Sequence, residues 1–120
     1  MFSDKRGWLI ERLNGVSPQK IEQIHYSCSN SGAVRGNHYH KHRVEWLCVI
    51  RGNGRIVLED NFTKERKEFT VSSDSPVLVK IPPNVTHAIE NIADASMHLL
   101  VIADEKRSST DSDTYPIQII

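Results

Sequence analysis

The stretch Gly32–Gly52, GAVRGNHYHKHRVEWLCVIRG, decides how the rest of the chain is read. It places His38, His40, His42 and Glu45 close together. His38 and His40 are two apart, so in extended chain both side chains leave the same face. Glu45 follows after a short bend, and a barrel interior would gather the three. Imidazole and carboxylate donors together suit zinc, iron, manganese, nickel or copper, and affinity order alone does not choose among them. A fourth ligand is expected from a distant strand. His87 is the candidate, because Pro82-Pro83 sets a turn ahead of it and HAIEN reads as a strand.

Working outward, runs rich in β-branched and aromatic residues recur between turn residues. They predict strands at Gly7–Leu13, Ile21–Cys28, Glu45–Arg51, Gly54–Glu59, Lys67–Val71, Val77–Ile81, His87–Asn91 and Met97–Ala103. Turns fall at Asn14-Gly15, Gly52-Asn53-Gly54, Asp60-Asn61, Ser73-Asp74, Pro82-Pro83-Asn84 and Asp94. No window carries a helical period of useful length. About eight short strands with close turns imply an all-β antiparallel barrel or sandwich of the jelly-roll kind. The charged run Thr63–Glu68 (TKERKE) is expected at a solvated hairpin tip, and Asp104–Asp113 in a polar surface loop. Tyr115–Ile120 is too apolar to hang in water and should pack on the barrel or on a partner subunit.

The chain of 120 residues reads as a single domain, 1–120. Its 15 basic residues balance 15 acidic ones, which gives no electrostatic case for nucleic acid or for an anionic membrane. The opening MFSDKRGW lacks the apolar run of a signal peptide, and no segment approaches transmembrane length. Cys28 and Cys48 lie inside expected strands without CxxC spacing, so both are expected to be reduced and buried in a cytoplasmic protein.

Gly32–Gly52 fits at every fixed position the first motif of the cupin family, G-(x)5-H-x-H-(x)3–4-E-(x)6-G. The second motif, P-x-G-x-x-H-(x)3-N, is matched by Pro82, His87 and Asn91, with Asn84 where glycine usually stands. Asn tolerates left-handed backbone, so this departure is mild. The resemblance implies a cupin fold, a double-stranded β-helix or jelly-roll barrel, with a divalent metal ion on His38, His40, Glu45 and His87. Zinc is ranked ahead of iron, manganese or nickel.

VRGNHYH (34–40), IPPNVTHAIEN (81–91) and SDTYP (112–116) narrow the likeness. They resemble the C-terminal cupin domain of bifunctional capsular-polysaccharide enzymes acting on UDP-linked 4-keto-6-deoxy-hexosamines. DKRGWLIE (4–11) is similar, more distantly, to the opening of dTDP-4-dehydrorhamnose 3,5-epimerases. The implied chemistry is epimerisation or isomerisation beside a ketone through an enolate, on a nucleotide-sugar substrate. The chain contains no G-x-G-x-x-G, so any reduction is expected to fall to another protein. The 3,4-ketoisomerases of deoxysugar pathways use a related proton shift but resemble the chain less.

For proton transfer the candidates are His98, His42 and Tyr115, with His25 and Tyr39 in reserve. Arg35 is the candidate diphosphate contact, since a guanidinium grips phosphate oxygens bidentately. Lys80 is a second substrate-binding candidate. Trp46, next to Glu45, should point away from the metal. Small cupins often pair through sheet edges, so a homodimer is expected. Two other function classes remain open from sequence: a metal-dependent cupin oxygenase, and a non-catalytic sugar-binding or regulatory cupin.

Overall fold

The computed structural model describes residues 2–10, 18–105 and 111–120. Their strands run in chain order as β1 (Phe2–Asp4), β2 (Gly7–Leu9), β3 (Gln23–Ser29), β4 (Val34–Tyr39), β5 (Glu45–Arg51) and β6 (Asn53–Asp60). β7 (Arg66–Ser72), β8 (Val79–Ile81), β9 (Val85–Asn91), β10 (Met97–Ala103) and β11 (Tyr115–Pro116) follow. Among the described residues the helical content is one 3-10 turn, Pro18–Lys20. β1 and β2 form a hairpin of their own, while the barrel is built from two sheets, β3-β10-β5-β8 and β11-β4-β9-β6-β7. All the pairings are antiparallel, as the jelly-roll cupin fold requires.

Between the sheets lies an apolar core of Leu47, Val49, Ile56, Val71, Ile81, Ile89, Met97 and Leu99. Alternation along each strand supplies it: Leu47 and Val49 face inward from β5, Leu99 from β10 and Ile89 from β9. Burying each such side chain stabilises the fold by about 1.5–3 kcal/mol, which anchors the strands that carry the site.

β5 and β10 keep their expected bounds, and β2 ends at Leu9 rather than Leu13, residues 11–13 lying outside the described set. The charged run Thr63–Glu68 is only partly a turn: from Arg66 it is strand, and Glu68 reaches across to pair with Arg55. Cys48 is buried, but Cys28 is exposed on the outer face of the edge strand β3, against expectation. The C-terminal piece packs on the barrel. Tyr115 pairs with Tyr39, Ile117 N–H donates to the Asn37 carbonyl, and Ile119 and Ile120 N–H donate to Asn37 Oδ1.

β4 is a strand beyond those expected, and its pairing with β9 breaks register at Gly36-Asn37. The break is a β-bulge. Arg35 pairs with Ile89 and Gly36 with Ala88, but the next pair is His38 with His87, leaving Asn37 as the extra residue. Plain alternation would turn Arg35 and His38 to opposite faces. The extra residue brings both to the inner wall. Gly36 (φ 93°) and Asn37 (φ 54°) take the left-handed backbone that this needs.

A Cβ on Gly36 would sit 2.6 Å from the His87 carbonyl oxygen, a backbone atom that cannot swing aside. Gly36→Ala is therefore expected to destabilise the chain by more than about 1 kcal/mol in urea unfolding. Wild-type stability in that variant would show that β4 and β9 can part without cost.

Candidate metal centre and its pocket

Four side chains from three places in the sequence meet at one end of the barrel. The bulge aims His38 from β4, His40 leaves the end of the same strand, Glu45 opens β5 on its inward face, and His87 comes from β9. One ligand atom from each lies within 4.8 Å of the others. The rings pack edge to face and tilted, with His38 and His87 centroids 4.7 Å apart. Asn84, ahead of β9, has φ 64°, the left-handed backbone expected of the residue in glycine's place.

The tautomers follow from the hydrogen bonds. A backbone carbonyl only accepts, so His40 Nδ1 carries a proton and donates to the Asp113 carbonyl at 2.6 Å. His87 Nδ1 likewise donates to the Val85 carbonyl at 3.3 Å. Both imidazoles in their neutral form then present an Nε2 lone pair to the same carboxylate oxygen, Glu45 Oε1, at 3.1 and 3.6 Å. Three electron-rich atoms in such proximity repel unless a proton or a cation lies among them. Ring nitrogens fixed from behind by carbonyls are a general feature of histidine metal ligands.

Geometry tests the fit. With metal–ligand bonds of about 2.0–2.2 Å, adjacent donors stand roughly 3–3.5 Å apart around an ion, and opposite donors about 4 Å. The two spacings to Glu45 Oε1, 3.1 and 3.6 Å, are close to this range, and the widest separation in the cluster, up to 4.8 Å, would have to contract around an ion. The charge state agrees too. Burial pushes the His87 imidazole down to about 4, which leaves it neutral at ordinary pH. Burial alone would raise the Glu45 carboxyl, but a proton on His40 Nε2, where a cation would otherwise lie, would bond it, and with the positive charge of His40, His87 and Arg43 the net effect holds the carboxyl below its usual value.

Two supporting residues escaped the sequence reading. Asp113, expected in a surface loop, is buried, and its carboxylate accepts the backbone N–H groups of Lys41, His42 and Arg43 at 2.8, 3.1 and 3.2 Å. The loop between His40 and Glu45 is thus wrapped around one carboxylate. Burial would raise that carboxyl as well, but the three N–H donors hold it low. Arg43 is fully buried between the two acids, 3.9 Å from Glu45 and 3.9 Å from Asp113, and donates to the Ser112 carbonyl at 2.7 Å.

The cluster opens into a cavity of about 220 Å³. Leu47, Ile89, Leu99 and Val101 form apolar walls, and His25, Ser27 and Arg35 supply further polar groups. Arg35 crosses between the sheets, with Nε donating to Ser29 Oγ at 2.6 Å and Nη2 to the Cys28 carbonyl at 2.9 Å.

The three proton-transfer candidates do not line this cavity. His98 faces outward from β10, because its inward neighbours are Met97 and Leu99; it bonds Tyr26 at 2.8 Å. The side chain of His42 is exposed on the Asp113-bound loop. Tyr115 is stacked on Tyr39 outside the barrel, with Lys41 over its ring. Lys80 pairs with Trp46 and faces outward with it, exposed. Trp46 points away from the cluster as expected and is buried within the chain. His25, held in reserve, does line the cavity.

Two measurements follow. Asp113→Ala leaves three N–H groups without their acceptor and should cost about 2 kcal/mol in urea unfolding, with zinc affinity down by about 10–100-fold. The pH dependence has a fixed sign. The folded chain refuses the proton that an unfolded His87 accepts, so stability is full above about pH 6.5 and falls toward about pH 4. In chelator-treated protein the drop over that window should reach roughly 3 kcal/mol, and His87→Asn should flatten it.

A family model, the polysaccharide biosynthesis C-terminal domain, matches residues 2–115. UDP-2-acetamido-2,6-beta-L-arabino-hexul-4-ose reductase of Pseudomonas aeruginosa is 28% identical over 99% of this chain and 31% of its own length. The capsular polysaccharide assembling protein CapF from Staphylococcus aureus superposes with TM-score 0.75 and 32% identity, covering 81% of this chain and 27% of CapF. The sugar 3,4-ketoisomerase QdtA from Thermoanaerobacterium thermosaccharolyticum, in complex with TDP, gives 0.71 and 27%, over 92% of this chain and 79% of QdtA. The chain thus spans about a third of the curated relative and most of the ketoisomerase. The chain belongs to the family of polysaccharide biosynthesis C-terminal domains, with a cupin barrel.

Proposed function

We propose that this chain is a metal-dependent epimerase or isomerase of a nucleotide-linked 4-keto-6-deoxy sugar, acting in surface-polysaccharide biosynthesis. The observation that carries the reading is the convergence of the His40 and His87 Nε2 lone pairs on Glu45 Oε1, at the closed end of a pocket. The family and its sugar-nucleotide relatives supply the substrate class.

His38, His40, Glu45 and His87 would hold a divalent ion, with zinc the first choice. Such an ion supplies Lewis-acid polarisation of the ketone oxygen and eases loss of the neighbouring proton. The chain's own residues do the remaining work. The cavity is smaller than the roughly 300–1,000 Å³ that encloses a drug-sized ligand, so it takes the sugar and leaves the nucleotide toward the mouth. Arg35 lines the cavity and is the contact for the diphosphate. Leu47, Ile89, Leu99 and Val101 keep water from the sugar ring, which strengthens every polar contact made there.

A homodimer and a cytoplasmic location belong to the same reading. Ile24 and Tyr26 on the edge strand β3 are each 62% exposed, an apolar surface that a second copy would cover. Among the described residues no helix is long and apolar enough to cross a membrane.

Zinc-loaded protein incubated in heavy water with UDP- and TDP-linked 4-keto-6-deoxy sugars should exchange the proton beside the ketone, seen by NMR. A chelator or Glu45→Gln should reduce that exchange to background. Absence of exchange across the panel would remove the enolate reading.

A further inference from the structure

We propose that His25 is the proton-transfer residue of this pocket, acting on the sugar from the β3 edge of the same sheet that carries Glu45. The inference rests on the sugar-nucleotide reading above and gives it an acid–base group.

Position is the first argument. His25 lies on β3 with Ser27 and Ser29 on the same side, and both His25 and Ser27 line the cavity. Its cross-strand partner is Val101, whose partner on the other side is Leu47. His25, Val101 and Leu47 are therefore one rung of the sheet, and two strand spacings put His25 about 10 Å from the backbone of β5. Glu45 is the next inward residue of β5 beyond Leu47. A sugar ring fits between them, with its ketone oxygen toward the cluster and a carbon-bound hydrogen toward His25.

The second argument is an unsatisfied atom. His25 Nε2 is buried and has no hydrogen-bond partner among the described residues. Most buried polar side-chain atoms are paired, so this unpaired ring nitrogen has no structural hydrogen bond to lose when the ring turns toward a bound sugar. Arg35 differs, since two of its nitrogens are occupied by Ser29 and Cys28. The remaining imidazoles of the lining, His38 and His87, belong to the cluster. His25 is thus the described imidazole of the lining that the cluster does not use, and imidazole is the commonest acid–base side chain in enzymes.

The step is balanced and needs no oxidant. The Nε2 lone pair takes the hydrogen from the carbon beside the ketone as a proton. The C–H electron pair becomes the new C=C bond, and the carbonyl π pair moves onto oxygen. Nε2–H then returns the proton to carbon, and the electron pairs move back.

Full-length, zinc-loaded wild type, His25→Gln and His25→Ala would be compared by proton exchange on the same 4-keto sugars and by calorimetric zinc titration. We expect exchange to fall by about 10²-fold or more in both variants, with zinc affinity unchanged, and added imidazole to restore part of the rate in His25→Ala. A structural role would not give that rescue. Wild-type exchange in His25→Gln would overturn the proposal, as would loss of exchange together with loss of zinc binding in both variants. If wild type itself shows no exchange, the sugar-nucleotide reading fails first and this inference falls with it.

Discussion

The contact between Gly36 and the His87 carbonyl is the constraint on which the site depends. β4 and β9 approach so closely there that no Cβ fits, and the chain gains one residue at Asn37 to continue. That single residue changes the parity of everything after it. His38 joins Arg35 on the inner wall, His40 follows two residues on, and Tyr39 is turned outward to stack on Tyr115. The same Asn37 then accepts the N–H groups of Ile119 and Ile120 on its side-chain oxygen. One local irregularity thus aims the ligands and docks the C-terminus.

The second constraint is electrostatic. Three histidines, a glutamate, an aspartate and a buried arginine share a small volume, and uncompensated charge there would be costly. The arrangement limits that cost. Asp113 spends its carboxylate on three backbone N–H groups and its carbonyl on His40, while Arg43 lies between the two acids. His87 is kept neutral by burial. What remains is a set of lone pairs directed at one point, which suits a divalent cation better than it suits protons, since protons would add repelling charges one at a time.

The four cluster residues were legible because short-range spacing and strand alternation carry them: His38 and His40 share a face by period alone, and Glu45 opens a strand of clear β pattern. β4 itself was harder, since Gly36 and Asn37 are both turn formers and nothing local distinguishes a bulge from a break. His25 stood in reserve beside His98, and strand alternation could not choose between them. On β3 the usual pattern is inverted: the apolar Ile24 and Tyr26 face outward, and the polar His25 and Ser27 line the cavity, with Ser29 buried on the same side. Hydrophobic alternation therefore suggests the wrong inside. His98 failed by the same rule of parity, one position from the inward Met97 and Leu99. Asp113 stood inside the SDTYP stretch, but its role carried no signal, because its partners are backbone groups some seventy residues away.

The position of one imidazole on one wall bears on which reaction the pocket suits. Epimerisation and ketone migration begin alike, with loss of the proton beside the carbonyl. They part at the return. Inversion requires a proton from the face opposite the one that lost it, and with the cluster residues proposed to hold a metal, the described lining offers no second acid–base imidazole to deliver it. A ketone that moves to the adjacent carbon asks for less: the carbon-bound proton can leave and return on one face, carried by His25, while the hydroxyl proton of the neighbouring carbon passes to the former carbonyl oxygen. A pocket with the candidate metal cluster reaching in from one strand and an imidazole two strands away on the same sheet suits that shorter exchange. Within the proposed function, the geometry therefore favours the isomerase over the epimerase.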